Sequence, residues 1–318
     1  MFSHLMNLSR LKRAARQFGF FRPVPEGTQK QQLWSIGIYV GSSPLAFAPA
    51  DFVQNPVLTR DDISDIRALF IADPFMMKVK ESWYMFFEIY NADSGKGDIG
   101  YAASHDGFTW KYQRLVLSEA FHLSYPYVFQ WADEYYMIPE TYSLGEVRLY
   151  KAHRFPTDWT YVATLLSGDK FSDSSIFRYQ NMWWLFTCPN PELRQDTLSL
   201  YFSTELGDRW CQHPRSPIIK SNPHIARPAG RVLVSNDRII RYAQDCQPIY
   251  GTSVRAFEVD NLTTETYAEQ QRSYDPLLGP SGEGWNEGGM HHLDPHLIEG
   301  GRWVACVDGW TGVETLDA

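Results

Sequence analysis

Residues 72–88 read ADPFMMKVKESWYMFFE, residues 124–140 SYPYVFQWADEYYMIPE, and residues 172–188 SDSSIFRYQNMWWLFTC. These are three copies of one pattern. Asp73, Tyr125 and Asp173 are each followed ten residues later by Trp83, Tyr135 and Trp183, and five residues after those by Glu88, Glu140 and Cys188. Looser copies follow as ARPAGRVLVSNDRIIRYAQD from Ala226 and HLDPHLIEGGRWVACVDG from His292. The first three copies continue into a further strand-like run that ends on Trp110, Trp159 and Trp210. The fourth resumes as TSVRAFEVDNLTTETY up to Tyr267, and the fifth stops soon after Asp308. A repeat near 50 residues long, built of short aromatic strands, is the signature of propeller blades.

Within a copy, FMMKV, WYMFFEIY and IGYAAS are strand-length, rich in aromatic and β-branched residues, and separated by polar or glycine-containing turns. They are too short to be helices. The fifth copy lacks an outer strand, whereas WSIGIYVG from Trp34 is a strand without a blade of its own. Pairing it into the fifth blade closes the ring and removes the open sheet edges that invite aggregation. The expected architecture is all-β: a five-bladed β-propeller over residues 32–318, closed by an N-terminal strand and preceded by a basic arm and linker over residues 1–31.

Composition narrows the function classes. A hydrophobic fraction of 44% with 15% aromatic residues supplies a large core, and a formal charge of −8 argues against a general nucleic-acid binder. Cys188, Cys211, Cys246 and Cys306 are scattered, and with no secretory h-region a reduced, cytoplasmic setting is expected. No apolar stretch approaches the ~20 residues that span a bilayer. Against the acidic average, residues 1–22 carry Arg10, Lys12, Arg13, Arg16 and Arg22 without an acid, and Leu8, Leu11, Ala15 and Phe18 would share one helical face. Such a segment can lie on an anionic membrane surface, which would make the protein peripheral to the inner membrane. The competing reading is an arm or helix packed on the propeller or on a partner.

Chemistry is expected where the blades converge. The innermost strand of a blade starts at the central channel and its antiparallel neighbour returns to the same rim. The spacing of fifteen therefore brings Asp73 to Glu88, Tyr125 to Glu140 and Asp173 to Cys188 at the channel mouth. Arg227 with Gln244 or Asp245, and Asp294 with Asp308, would complete the ring. Carboxylates crowded in a partly dry cleft push one another's pKa values apart, which suits acid and base work. The plainer role for each is to cap backbone N–H groups or balance an arginine. In GGMHHLDPH, the side chains of His292, Asp294 and His296 share one strand face and that of His291 lies on the other. Two of these could share a structural ion, though hydrogen bonds to sugar hydroxyls or carboxylates suit them better and no zinc spacing is present. No P-loop, G-x-S-x-G elbow or dinucleotide fingerprint occurs, so no cofactor is expected. Aromatic residues near the rim, including Tyr125, Tyr127 and Trp285, could stack on sugar rings or serve only in blade packing.

The run WSIGIY, ADPF, WYMFFE, DGFTW, FHLSYPYVF, YYMIPE, VRLYKA, DSSIF, WWLF, SPIIK, ARPAGRVL, RYAQD and GMHHLDPH with RWVACVDG resembles the N-terminal domain of plant glucosamine inositolphosphorylceramide transferases and its stand-alone bacterial relatives. It covers nearly everything from Trp34 to Trp310, and is more distantly similar to the five-bladed propeller glycosidases of the arabinanase, xylosidase and invertase group. The resemblance implies a carbohydrate site in the funnel, with Asp73 as base or nucleophile and Asp173 as a second carboxylate. Where those glycosidases open a following blade with a proton-donating glutamate, this chain has Arg227-Pro228. Glu140 is then the candidate acid, and Arg227 a binder of anionic substituents. Glu88, Tyr125, Asp245, His291, His292, Asp294, His296 and Asp308 are the candidate substrate contacts. Two functions follow as expectations. One is a hydrolase-like enzyme acting on a sugar or sugar-phosphate in cell-envelope glycan or glycolipid metabolism. The other is a non-catalytic domain that binds a glycan or glycolipid headgroup. In the plant proteins a glycosyltransferase domain follows the propeller, so a separate glycosyltransferase is the implied partner.

Overall fold

The computed structural model describes residues 30–235 and 237–314. The basic segment 1–22, expected to be a helix or arm, lies outside the described residues. The chain opens with β1 (Lys30–Ser43) and β2 (Ala46–Pro49). The next strands are β3 (Ala68–Val79), β4 (Ser82–Asn91), β5 (Lys96–Ser104) and β6 (Lys111–Leu117). They are followed by β7 (Ser124–Trp131), β8 (Glu134–Thr141), β9 (Glu146–Arg154) and β10 (Asp158–Ser167). The third set is β11 (Phe171–Tyr179), β12 (Met182–Pro189), β13 (Ser199–Ser203) and β14 (Cys211–Gln212). Then come β15 (Leu233–Ser235), β16 (Arg238–Asp245), β17 (Ser253–Leu262) and β18 (Tyr267–Gln271), and finally β19 (Leu293–Leu297) and β20 (Trp303–Glu314). Each consecutive set of four forms one antiparallel sheet, and the fifth sheet has the order β19-β20-β1-β2. The fold is the expected five-bladed propeller, and the strand carrying Trp34 closes it with Trp34 opposite Trp310. Among the described residues no helix is long and apolar enough to cross a membrane.

The repeated tryptophans have one local job. Each precedes or opens the outermost strand of its blade and donates its indole N–H to a carbonyl in the preceding turn. Trp110 bonds Gly107 at 3.1 Å, Trp159 bonds Pro156 at 2.8 Å and Trp210 bonds Leu206 at 3.2 Å. Their rings fill the spaces between blades. Trp159, for instance, meets Phe86 of the preceding blade edge-on, with centroids 5.5 Å apart. Truncating a buried ring of this kind to alanine costs about 3–5 kcal/mol.

The register at the channel mouth differs from the simple spacing rule in an informative way. Glu88 stands opposite Ala72 rather than Asp73, Glu140 opposite Ser124, and Cys188 opposite Ser172. The two residues that follow, Asp73-Pro74, Tyr125-Pro126 and Asp173-Ser174, are matched against a single residue on the neighbouring strand, which is a β-bulge in the same place in three blades. The first residue of each bulge is left-handed, with φ of 55° at Asp73, 44° at Tyr125 and 47° at Asp173. Non-glycine residues take that conformation at a cost of roughly 1 kcal/mol or more, and such strain gathers at sites where a side chain must be re-aimed. Proline suits the second position because an unpaired bulge residue has no ladder hydrogen bond to donate.

The blade-five alignment also needs correction. Asp294 pairs with Cys306, two residues deeper in the channel than Asp308, so it does not complete the mouth ring. The Asp-Pro dipeptide at Asp294 copies the look of Asp73-Pro74 but not its level in the sheet. Blades four and five instead meet through backbone: Leu293 N–H donates to the Ala229 carbonyl at 2.9 Å, and Gly230 bridges Leu293 in parallel. Gly230 has φ of +118°, and a Cβ there would stand 2.0 Å from the Leu293 carbonyl oxygen, so only glycine fits.

Candidate functional site

The mouth is a ring in which a side chain of one blade grips the next. Asp308 Oδ2 accepts the Asp73 N–H at 3.0 Å, Asp73 Oδ2 accepts the Tyr125 N–H at 3.3 Å, and Glu140 Oε2 accepts the Asp173 N–H at 3.0 Å. Asp173 then receives Arg227 through Nε at 2.5 Å and Nη2 at 3.3 Å, together with Gln244 Nε2 at 2.6 Å. The expected level of Arg227 with Gln244 holds, since Gln244 N–H donates to the Arg227 carbonyl. Arg227 Nη2 also lies 3.7 Å from Glu140 Oε2, so one guanidinium serves two carboxyl groups. Asp173 takes the Nε edge of that guanidinium, so an anionic substituent binding Arg227 would share it with Asp173.

A second group completes the opposite side of the mouth. His291 directs Nδ1 at Asp308 Oδ1 at 2.7 Å, which leaves Nε2 facing Asp73 Oδ1 at 3.7 Å. Trp34 stacks on His291 with centroids 4.0 Å apart. Ligand atoms of Asp73, His291 and Asp308 lie within 4.8 Å of one another, a set that could hold a metal ion. As it stands, the hydrogen bond between His291 and Asp308 satisfies those two ligands without one. His292 is fully buried just beneath, its ring edge-on to Phe75 and Tyr125. Neither of its ring nitrogens has a hydrogen-bond partner among the described residues, and Nδ1 is 3.8 Å from Asp73 Oδ1. Burial pushes His292 down to about 4, so the ring is neutral at pH 7.

Crowding and dryness sort the acids. Burial, reinforced by Asp173 and Asp308 and opposed by His291, lifts Asp73 to about 7. Burial and then Asp173 lift Glu140 to about 8, with Arg227 opposing. Glu88 sits behind Asp73 and goes well above its ordinary range through burial, then through Asp73 and Glu140. Its Oε1 has no hydrogen-bond partner among the described residues, and His122 Nε2 lies 3.5 Å away. Asp308 goes the other way: burial raises it, but the charge and hydrogen bond of His291, together with His292 and the Asp73 N–H, hold it below the ordinary value. The mouth therefore holds protons on some carboxyl groups and charge on others near neutrality.

Three of the expected contacts lie elsewhere. Asp245 faces the other side of its strand from Gln244, where it accepts from Arg255 at 2.8 Å and His224 at 2.8 Å. Asp294 and His296 form a deeper cluster with Arg231, whose Nε meets Asp294 Oδ1 at 2.5 Å while His296 Nε2 meets Asp294 Oδ2 at 2.9 Å. Arg231 also bonds the carbonyls of Met76 and Val128, which bolts blades one, two and five together across the channel. Tyr125 is fully buried at the first bulge of blade two. Its hydroxyl accepts the Gly230 N–H at 2.5 Å and lies 2.8 Å from Ser175 Oγ, so it fills the channel under the mouth. Tyr127 lies deeper still, beneath the Arg231 guanidinium at 4.9 Å. Residues that sequence reasoning passed over include Arg231, His122 and Tyr250, whose ring sits 5.1 Å from the Arg227 guanidinium. Tyr250 belongs to the loop between β16 and β17, and nothing in the repeat marks that loop as part of the mouth.

Glycoside hydrolases are among the solved structures that share this architecture. A glycosyl hydrolase from Bacteroides ovatus matches with a TM-score of 0.61 at 11% identity, covering 83% of this chain and 93% of that one. The catalytic domain of the GH62 α-L-arabinofuranosidase of Coprinopsis cinerea matches at 0.54 with 12% identity, covering 89% and 99%. A family 117 glycoside hydrolase from the marine bacterium Zobellia galactanivorans matches at 0.52 with 14% identity, covering 88% and 91%. The class is thus a five-bladed propeller of the glycosidase type in fold. Residues 27–310 match the family model of glucosamine inositolphosphorylceramide transferase 1, N-terminal. The chain belongs to that family. It is similar to glucosamine inositolphosphorylceramide transferase 1 of Oryza sativa subsp. indica, 36% identical over 297 residues, and to that of Arabidopsis thaliana, 31% identical over 296. Each alignment takes in 87% of this chain but only about 40% of the plant protein, so the chain spans less than half the length of these relatives.

Proposed function

We propose that the propeller mouth is a carbohydrate site of glycoside-hydrolase type, with Asp73 as base, Glu140 as general acid and Asp173 as the carboxylate that orients Arg227 beside Glu140. The observation that carries this reading is the repeated strained bulge at Asp73 and Asp173, with Glu140 gripping the bulge at Asp173. Glycoside hydrolysis requires an acid that keeps its proton near neutrality and a base that can lose one. The substrate class is a sugar, sugar-phosphate or glycolipid headgroup, in keeping with the names of the plant relatives and the hydrolase fold neighbours. The test is a screen of the purified protein against aryl-glycosides and lipid-linked or phosphorylated sugars, beside Asp73→Asn and Glu140→Gln. Turnover that both substitutions leave intact would remove the assignment.

A second reading is favoured by one observation: Asp308, Asp73, Glu140 and Asp173 each already serve a joint between blades, and Arg227 is engaged by Asp173 beside Glu140. On that reading the domain binds a glycan or glycolipid headgroup without turnover, alongside a separate glycosyltransferase. Tight binding that survives Asp73→Asn in the absence of product would establish it. We further propose that the basic residues 1–22 contact an anionic membrane surface from the cytoplasmic side, the alternative being an arm packed on the propeller or on a partner. Sedimentation of the full chain with anionic vesicles, with and without neutralisation of Arg10, Lys12, Arg13 and Arg16, checks this contact.

A further inference from the structure

The Tyr250 ring stands between the two halves of the mouth. Its centroid lies 5.1 Å from the Arg227 guanidinium carbon on one side, and 5.1 Å from the His291 ring at 90° on the other. It also meets Trp34 edge-on at 6.2 Å. The loop that carries it is pinned rather than loose. The Tyr250 carbonyl accepts Gln32 Nε2 at 3.0 Å, the next carbonyl, at Gly251, accepts Trp310 Nε1 at 3.0 Å, and Thr252 Oγ1 donates to the Ile249 carbonyl at 2.6 Å. Gly251 has φ of +74° and lies so close under Trp34 that a Cβ would stand 2.4 Å from its ring. No side chain fits there, so the backbone next to Tyr250 is held flat against two tryptophans. Tyr250 itself is half-buried.

We propose that Tyr250 is a sugar-binding residue of the mouth, setting the position of the bound ring between the Arg227–Asp173 half and the Asp73–His291–Asp308 half. The proposal rests on the carbohydrate reading of the mouth and adds a specificity determinant to it. A tyrosine combines an apolar ring with a polar end, the pairing that a sugar's C–H face and hydroxyls require. Burial, Asp73 and Asp173 raise this phenol well above its ordinary value against the pull of Arg227, so it stays an O–H donor at neutral pH. A neutral donor beside the carboxyl groups can hold a sugar hydroxyl without adding another negative charge.

The test compares Tyr250→Phe, Tyr250→Ala and, as a control, Tyr274→Ala, a residue 97% exposed. The probes are a panel of p-nitrophenyl glycosides and their parent monosaccharides. Binding is followed by tryptophan fluorescence, since Trp34 and Trp310 flank the loop, and turnover by nitrophenol release. Loss of one hydrogen bond in Tyr250→Phe weakens Kd and raises KM about threefold to tenfold, with a smaller change in kcat. Loss of the ring in Tyr250→Ala weakens Kd about tenfold to a hundredfold. Native-like Kd and KM in both variants overturn the proposal, and if Tyr250→Ala does not fold, native-like values in Tyr250→Phe alone do so. Sugar binding without turnover in the native chain sinks the hydrolytic reading and leaves Tyr250 to be judged on Kd. A native chain that neither binds nor cleaves any probe overturns both.

Discussion

Glu140→Gln should make this protein more stable by an amount that grows as pH rises from about 4.5 and is complete above about pH 8. Burial, reinforced by Asp173, lifts Glu140 from 4.5 to about 8, so across that interval the folded chain holds a proton that the unfolded chain has lost. Stability contributed by the protonated group is complete below pH 4.5. It falls by about 1.4 kcal/mol per pH unit above that and is gone above about pH 8, a total of about 5 kcal/mol. Glutamine cannot ionise, and its carbonyl oxygen can still accept the Asp173 N–H that Glu140 accepts at 3.0 Å. The variant therefore avoids the loss without breaking the joint. A domain of this size unfolds with an entropy near 0.6 kcal/mol per kelvin, so 5 kcal/mol corresponds to roughly 8 °C in Tm. Thermal unfolding of both proteins by circular dichroism from pH 5 to pH 9 measures the effect. The two curves should coincide to within about 2 °C at pH 5 and separate progressively, with the variant on top. Parallel curves, or a native protein that is the more stable at pH 9, would refute the reasoning.

If Asp73 and Glu140 act as base and acid, kcat/KM should rise as pH climbs through about 7, where Asp73 loses its proton, and fall through about 8, where Glu140 does. A profile flat across that range excludes the pair. Arg227→Met removes both guanidinium bonds to a fully buried Asp173 and should cost about 3–5 kcal/mol, or 5–8 °C in Tm, with recovery when Asp173→Asn is added. A Tm unchanged by Arg227→Met would show that the ion pair is not formed. Tyr125→Phe leaves the buried Gly230 N–H without its acceptor and should cost about 1–3 kcal/mol by chemical denaturation. An unchanged midpoint would mean that the hydroxyl plays no part in closing the channel.

Much of this architecture is legible in the amino-acid order because blades repeat both their strands and their turns. Trp110, Trp159 and Trp210 recur because each caps its own turn, so their spacing reports the blades directly. Asp73 and Asp173 are legible as blade openers for the same reason. The bulges are not, because a residue count of fifteen from Asp73 to Glu88 is the same whether or not one residue is unpaired. Only the ladder shows that Ala72 is the true partner. Blade five misleads because a strand-opening Asp-Pro is a local pattern, whereas level in the channel is decided by which residue across the sheet it meets, here Cys306. Tyr250 escapes altogether. It enters the mouth because Gln32, Trp34 and Trp310, more than two hundred residues before it or about sixty after it, hold its loop in place.

The ring explains why carboxyl groups can remain at the mouth whichever function it performs. Among the described residues, Asp308 joins blade five to one, Asp73 joins one to two, Glu140 joins two to three, and Arg227 with Asp173 joins three to four, while blades four and five meet through Gly230 and Leu293. Accepting a backbone N–H takes only one oxygen, so the amide replacements Asp73→Asn and Glu140→Gln preserve the joints while removing the acid and the base. Alanine at the same positions would leave buried donors unsatisfied at about 1–3 kcal/mol each and would confuse lost chemistry with a loosened ring. A comparison of amide with alanine variants therefore separates the two roles. If the mouth is only a set of joints, Asn and Gln variants should keep the ligand binding of the native protein and lose no stability at pH 5, and the alanine variants alone should fail.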